Sequence, residues 1–411
     1  MDILEDLEWR GAINQCTDLE GLRKLLNEKK ISLYCGTDPT GDSLHIGHLI
    51  PFIMLKRFQL AGHHPYILIG GGTGFIGDPS GRNSERQLQT AEQVQHNKEG
   101  LTNQMIKLFG TENFDIVDNY DWLSKINLLD FLRDYGKAFN INTMLAKEAV
   151  ASRLKNGISF TEFSYQILQS IDFLHLNEEK GIQLQIGGAD QWGNLTNGVD
   201  LIHNKKPNEK AFGLTIPLML KADGTKFGKT AGGAVWLDPN KTSPFTFYQF
   251  WLNQDDRDVV KYLKYFTFLS HDEINELAEK VKTEPQRRLA EEVTKFVHGE
   301  EAMKQAKKIS EILFKGNVAE LSTNELQQAF EKVPSIKISN TSTNIVDWLV
   351  DSKIETSKRQ AREDVKNGAI TINGEKVTDL DFVVDPSTNF DGKYVVARKG
   401  KRNYFLAKVA E

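Results

Sequence analysis

Two histidines three residues apart open the chemistry of this chain. The run Asp38-Pro39-Thr40-Gly41-Asp42-Ser43-Leu44-His45-Ile46-Gly47-His48 joins an apolar stretch at 31–35, which reads as a strand ending at Gly36, to a stretch at about 44–60 that reads as a helix. A spacing of three puts both imidazoles on one face of the first turn. A helix start already favours an anion, through its unpaired N–H groups and its dipole. Imidazoles placed there add donors for a phosphate whose charge grows in a transition state. Gly47 lets a flat ligand approach the backbone. Asp42 or Ser43 is the natural N-cap. Pro51 falls inside the helix and offers no N–H to the Gly47 carbonyl, so a kink or a partly separate first turn is expected.

Four further stretches carry polar groups at useful spacings. Lys226-Phe227-Gly228-Lys229-Thr230 follows Ala222-Asp223-Gly224 and reads as a mobile loop, able to close over a triphosphate and neutralise leaving pyrophosphate. By itself it would equally suit a solvated basic loop. Tyr165, Gln169 and Asp172 line one face of a helix at about 161–176, with Phe163, Ile167, Ile171 and Leu174 on the other. Tyr, Gln and Asp together suit a small polar ligand better than the Lys and Glu of an ordinary exposed face. Gln185 to Asn194 is a glycine turn with polar ends after a strand, fit to cradle a ribose or adenine, or simply to turn the chain. Gly70-Gly71-Gly72-Thr73-Gly74 follows a strand at 65–69, but no helix of the right kind starts at its glycines, so a dinucleotide loop is disfavoured.

The elements that must position these groups follow from the pattern of the whole chain. At 411 residues it is too long for one ordinary domain. Strand, loop, helix, strand over 31–69 is a βαβ unit, which implies a parallel sheet and an α/β domain with its ligands at the carboxyl ends of the strands. The expected organisation is a Rossmann-like parallel-sheet catalytic domain at 1–220, a linker at 221–243 carrying the lysine loop, an α-helical domain at 244–333, a polar linker at 334–343, and a small α+β domain at 344–411. No apolar run reaches the roughly 18–20 residues that span a bilayer. The N-terminal residues lack the basic flank and apolar core of a secretion signal. Cys16 and Cys35 are the only cysteines, too few for a disulfide framework or a cysteine-rich zinc site. These features predict a cytoplasmic protein with no membrane partner and no protein-held metal.

The net charge of −5 excludes uniform coating of nucleic acid but allows a local basic face. The final segment carries one. Lys358, Arg362 and Lys366 recur at i, i+4 and i+8 of a helix, with Arg359 beside them. A hairpin turning at Asn373-Gly374 follows, and then the basic loop Arg398-Lys399-Gly400-Lys401-Arg402. Together they form a compact phosphate-contacting face.

These motifs, taken together, resemble the class I aminoacyl-tRNA synthetases in the bacterial tyrosine-specific form, along nearly the whole chain. His45-Ile46-Gly47-His48 looks like the first signature of the family and Lys226-Phe227-Gly228-Lys229-Thr230 like the second. The last segment is similar to the S4-type RNA-binding module. The resemblance implies activation of L-tyrosine with ATP and Mg²⁺ to tyrosyl-adenylate, then transfer to the 3′-terminal ribose of tRNA(Tyr), by a homodimer with no tightly bound cofactor. It implies that Tyr34 and Asp172 bond the phenolic hydroxyl, and that Asp78, Tyr165 and Gln169 hold the ammonium group. It places Thr40, His45, His48, Lys226, Lys229 and Thr230 at the ATP phosphates, with Arg82 and Arg86 near pyrophosphate. Gly36, Asp38, Gly47, Gly188, Asp190 and Gln191 would surround the adenosine and the tyrosyl group. Lys358, Arg359, Arg362, Lys366, Lys401 and Arg402 would contact tRNA. A tryptophan-specific relative, a non-catalytic RNA-binding relative and a nucleotidyltransferase stay open as alternatives. The hydroxyl-pairing Tyr34 and Asp172 speak against the first, intact His45, His48 and Lys229 against the second, and the basic tail against the third.

Overall fold

The structure, a computed structural model, describes residues 2–410 except 83, 85, 86, 226, 231, 232, 282, 332, 334, 401 and 402, and it leaves the side chains of 229 and 230 undescribed. The chain forms two compact units, one of Met1–Lys241 with Gln254–Glu292, the other of Thr242–Asn253 with Val293–Glu411.

The first unit is built on a six-stranded sheet of β1 (Gln15–Cys16), β2 (Ser32–Thr37), β3 (His64–Ile69), β4 (Asp115–Asp118), β5 (Ile182–Gly188) and β6 (Phe212–Ile216), in the order β1-β6-β5-β2-β3-β4. All neighbouring pairs are parallel except the short edge strand β1, which runs antiparallel to β6. Leu33, Tyr34 and Cys35 in β2, and all five residues of β6, are buried, as strands covered on both faces must be. The βαβ unit expected at 31–69 is present as β2, the helix Ile46–Leu60 and β3. That helix buries ten of its residues, so it is a core element rather than a surface one.

Two expectations for this helix need correction. Its N-cap is His45, not Asp42 or Ser43. The Ser43 hydroxyl donates to the Leu44 carbonyl and accepts from Gln104, so it is engaged away from the helix start. The helix also continues unbroken across Pro51 from Ile46 to Leu60, with no separate first turn.

The chain passes to the second unit at Lys241/Thr242 and returns to the first at Gln254. The helices Asp256–Phe266 and His271–Ala278 belong to the first unit. The reason is a pair of buried guanidinium groups. Arg10 donates to the carbonyls of Lys264 and Leu269, and Arg57, near the end of the histidine helix, donates to those of Lys264, Tyr265 and Thr267. Buried carbonyls at a helix end need such partners.

In the second unit the helices Pro244–Leu252, Glu300–Lys315 and Thr323–Ala329 pack together, with Gln249 donating to Ser310 and Lys308 bonded to Glu325. Its five-stranded sheet runs in the order Glu375–Val377, Ile370–Ile372, Tyr394–Lys399, Asn403–Val409, Ser335–Ile338. The last of these lies within the stretch read as a linker at 334–343, and pairs parallel with Leu406–Val409. Asn373 and Gly374 have φ of 46° and 87°, the double left-handed turn that a tight hairpin demands. The helix Lys358–Lys366 buries Ala361 and Val365.

Candidate active site

A cavity of about 320 Å³ opens at the carboxyl ends of β2 and β5 in the first unit. It is lined by Tyr34, Gly36, Asp38, Thr40, Gly47, His48, Asp78, Tyr165, Gln169, Asp172, Gly188, Asp190 and Gln191. Thirteen positions singled out from sequence, drawn from five separate segments, thus converge on one space. Parallel strands and the loops that follow them bring them together.

One end of the cavity is acidic and deeply buried. The helix Phe160–Lys180 starts at an N-cap Ser159 and ends at a left-handed Gly181, which fixes its length. Its polar face turns into the cavity, with Gln169 half-buried. Tyr165 and Asp172 are buried, and the Tyr165 hydroxyl donates to Asp38 Oδ2 at 2.9 Å. Asp38 Oδ1 accepts from the Thr73 hydroxyl at 2.7 Å. Gly70 packs closely against this pair, since a Cβ there would lie 2.1 Å from Asp38 Oδ1 and would displace the carboxylate. Asp78 accepts from the Ser80 N–H and from Gln191 Nε2, at 2.9 and 2.7 Å, while Asn194 donates to Gln169 at 2.9 Å. Asp38, Asp78, Asp172 and Asp190 line the cavity, and no lysine or arginine is among its described lining residues. Such an end attracts an ammonium group.

Tyr34 and Asp172 form a pair with unmet capacity. The Tyr34 hydroxyl is buried and has no hydrogen-bond partner among the described residues. Asp172 receives Asn119 Nδ2 on Oδ2 at 2.9 Å and Trp122 Nε1 on Oδ1 at 2.8 Å. Burial raises its carboxyl to about 7, against the opposing pull of those two donors and with a further push from the Asp38 charge. Burial, with the Asp172 charge nearby, likewise raises the Tyr34 phenol well above its usual range. A buried donor without a partner costs about 1–3 kcal/mol, and a ligand hydroxyl held between these groups removes that cost.

The other end is built on the first turn of the histidine helix. His45 and His48 are half-buried and stack at 3.8 Å between ring centroids. Gly47 N–H donates to His45 Nδ1 at 3.0 Å, and His45 N–H donates to His48 Nδ1 at 3.5 Å. With Nδ1 accepting, each neutral ring carries its proton on Nε2 and can donate from there. His48 lines the cavity, and His45 stands behind it against the His48 ring.

The lysine loop comes to the same place. Phe227 is buried against Tyr262 and Phe266, with ring centroids 5.0 and 5.1 Å away. Gly228 has φ of +94°, and a Cβ there would lie 3.4 Å from Gly47 N, so its backbone passes directly over the helix start. Lys229 and Thr230 pair with Gly233 and Ala234 as a small antiparallel ribbon. Lys226 and Arg86 lie outside the described residues, as do the side chains of Lys229 and Thr230. Arg82 is exposed and does not line the cavity.

The basic face lies on the second unit. Lys358, Arg359, Arg362 and Lys366 are all exposed on one short helix, with Lys358 ion-paired to Asp347 at 2.7 Å. Lys401 and Arg402 lie outside the described residues.

Asn119 and Trp122 lie outside every sequence motif, and Thr73, Cys35 and Gln185 carry no role of their own there. Cys35, Thr73 and Gln185 line the cavity, and Asn119 and Trp122 hold Asp172. Asn119 directly follows β4, so the rule that marked Gly36 and Gly70 would have marked it too. The strand Asp115-Ile116-Val117-Asp118 is too short and polar to stand out.

Comparison with known proteins agrees with this geometry. The family described as tRNA synthetases class I (W and Y) matches residues 26–315, and the Tyrosine--tRNA ligase SYY-like C-terminal domain matches 325–407. The chain is 71% identical to the Tyrosine--tRNA ligase of Limosilactobacillus reuteri over the full length of both. It is 69% identical to Tyrosine--tRNA ligase 1 of Enterococcus faecalis, again over the full length of both. Among solved structures, a C-terminally truncated mitochondrial tyrosyl-tRNA synthetase of Aspergillus nidulans superposes with a TM-score of 0.69 at 31% identity, covering 76% of this chain and 94% of that one. A tryptophanyl-tRNA synthetase of Encephalitozoon cuniculi shares the fold at a TM-score of 0.55 and 17% identity, over 74% of this chain and 87% of that one. The chain therefore belongs to the tyrosine–tRNA ligases, within the class I tRNA synthetases.

Proposed function

We propose that the cavity carries out the ligase reaction of this family by holding L-tyrosine in its acidic end and the phosphates of ATP, entering as the magnesium complex, against the histidine helix. The observation that carries this reading is the buried, unpartnered Tyr34 hydroxyl beside the Asp172 carboxylate. Tyr34 donates to the phenolic oxygen, and the phenolic hydroxyl donates to Asp172. Asp78, Tyr165 and Gln169 receive the ammonium group, with Gln191 fixing Asp78. Gly36, Asp38, Gly47, Gly188 and Asp190 border the adenosine.

The tyrosine carboxylate attacks the α-phosphorus and pyrophosphate leaves. The substrate supplies its own nucleophile, so this step needs positioning and charge stabilisation from the protein. His45, His48 and Thr40 serve the phosphates from one side, and Lys226, Lys229 and Thr230 from the other, with Arg82 and Arg86 toward the leaving group. In the second step a terminal ribose hydroxyl of tRNA(Tyr) attacks the acyl carbonyl and AMP departs. The four exposed cations of the Lys358–Lys366 helix, with Lys401 and Arg402, hold the tRNA backbone.

The working unit is a homodimer. Leu128, Leu129, Leu132 and Ile141 on the insertion between β4 and the Tyr165 helix, and Phe160 at the start of that helix, are 51–74% exposed, apolar surface that supports pairing of two copies. We place the enzyme in the cytoplasm. This is supported by the free Cys16 and Cys35, and no described helix is long and apolar enough to cross a membrane.

Gel filtration after incubation with labelled tyrosine tests the reading. Label should stay with the protein only when magnesium-ATP is present, and should pass to added tRNA(Tyr). Label retained equally without ATP, or never transferred, would sink it.

A further inference from the structure

The segment that returns from the lysine loop is stitched to the residues that enter the histidine helix. Ile46 N–H donates to the Val235 carbonyl at 3.0 Å, and Leu237 N–H donates to the Leu44 carbonyl at 2.9 Å. Between these bonds His45 and Trp236 face each other as an isolated antiparallel pair. Their rings meet edge to face, 6.0 Å between centroids at 65°. Edge-to-face geometry directs the positive rim of one ring at the negative face of the other, so the contact favours one orientation.

Trp236 is itself held. Lys241 Nζ lies 5.1 Å from its ring centroid, and the same ammonium is ion-paired with Asp42, three residues before His45. Lys241 holds the Asp42 carboxyl below its usual range, with His96 adding a smaller effect in the same direction from 3.9 Å. Gln104 pins the residues in between, donating to the Ser43 hydroxyl at 2.8 Å and accepting from Leu44 N–H at 2.9 Å. His45 is thus gripped by the His48 ring, by the Gly47 N–H on Nδ1, and by Trp236.

We propose that Trp236 is a positioning residue for His45 in adenylate formation, and that the Lys241–Asp42 ion pair latches Trp236 in place, so that the start of the histidine helix and the root of the lysine loop act as one piece. The proposal rests on the assignment of His45 to the ATP phosphates. A donor to a developing charge is effective only when it already points where that charge will appear. A loose His45 therefore slows the chemical step while leaving tyrosine binding alone.

The test is a mutant cycle read by the rate of tyrosyl-adenylate formation, alongside the tyrosine dissociation constant and the melting temperature. Trp236→Leu should slow adenylate formation about five- to ten-fold. Trp236→Phe should recover most of that rate. Lys241→Met should slow it about two- to five-fold. Tyrosine affinity should stay within about two-fold throughout, since none of these side chains lines the acidic end. In a His45→Ala background Trp236→Leu should cost less than about two-fold, because the group it positions is gone. Lys241→Met, a change at a partly exposed side chain, carries the same cycle should Trp236→Leu fail to fold. A His45→Ala enzyme of undiminished rate would overturn the role of His45 and the proposal with it. A slowed His45→Ala enzyme in which Trp236→Leu again costs its full factor would overturn the proposal alone. A fall in tyrosine affinity parallel to the fall in rate would also overturn it.

Discussion

Replacing Asp172 by asparagine keeps the shape of the side chain and removes its charge. In the native site both carboxylate oxygens already receive donors, from Asn119 and Trp122, and the group is fully enclosed. An amide there turns an NH₂ toward one of those donors and offers the substrate phenol a weaker acceptor. A hydrogen bond to a charged group contributes about 1.5–3 kcal/mol, so tyrosine affinity should fall about 10- to 150-fold. ATP binding without tyrosine should change by less than about two-fold, since Asp172 sits at the opposite end from the histidines.

The pH dependence gives the same residue a second signature. Burial raises the Asp172 carboxyl from its ordinary value of 3.8 to about 7, so the neutral form is favoured in the folded protein. The stability linked to that neutral form is complete below the unfolded value and is lost as pH rises through about 7. A phenol donating to the carboxylate favours the charged form, so tyrosine affinity should strengthen as pH rises through about 7 and then level off. In Asp172→Asn this dependence should vanish. Equilibrium dialysis and thermal melts across that range measure both effects. An affinity loss below about three-fold, or an equal loss for ATP, would refute the assignment, as would a pH dependence unchanged in the variant.

Three other outcomes follow from separate parts of the structure. His48→Ala should lower the rate of tyrosyl-adenylate formation by about 100-fold while leaving the tyrosine dissociation constant unchanged, as seen by single-turnover kinetics beside equilibrium binding. Arg153→Met strands Glu162, whose side chain is fully buried and bonded to Arg153 at 2.8 Å, so chemical denaturation should show a loss of about 3–5 kcal/mol. Truncation before Ser335, which removes the small sheet with its edge strand intact, should spare pyrophosphate exchange and abolish tRNA charging. Retained charging would remove the basic helix from the reaction.

What could be read without the structure is what local pattern encodes. The βαβ unit, the Tyr165 face and the Asn373-Gly374 hairpin each rest on periodicity or turn chemistry within a few residues, and each is present. Features set by partners distant in sequence were not legible. Asp42 and Ser43 have the better capping side chains, yet His45 caps because Gln104, on another helix, holds Ser43 and Leu44. A run of helices does not reveal which core each one joins, and Arg10 and Arg57 draw Asp256–Phe266 into the first unit. Ser335-Ile336-Lys337-Ile338 alternates as an edge strand should, but its short apolar content is masked by the polar residues that follow. Asn119 and Trp122 were missed for a similar reason, since nothing local says that Asp172 will be buried against them.

The assignment of the cavity to a phenol is tested most directly by amino-acid-dependent exchange of labelled pyrophosphate into ATP, run with tyrosine, phenylalanine and tryptophan on the same protein. Tyrosine should support exchange. Phenylalanine should fail by orders of magnitude, because it leaves both the Tyr34 hydroxyl and the Asp172 carboxylate buried without the partner it lacks. Tryptophan should fail as well. Exchange with phenylalanine at a rate comparable to that with tyrosine would contradict the role given to Tyr34 and Asp172.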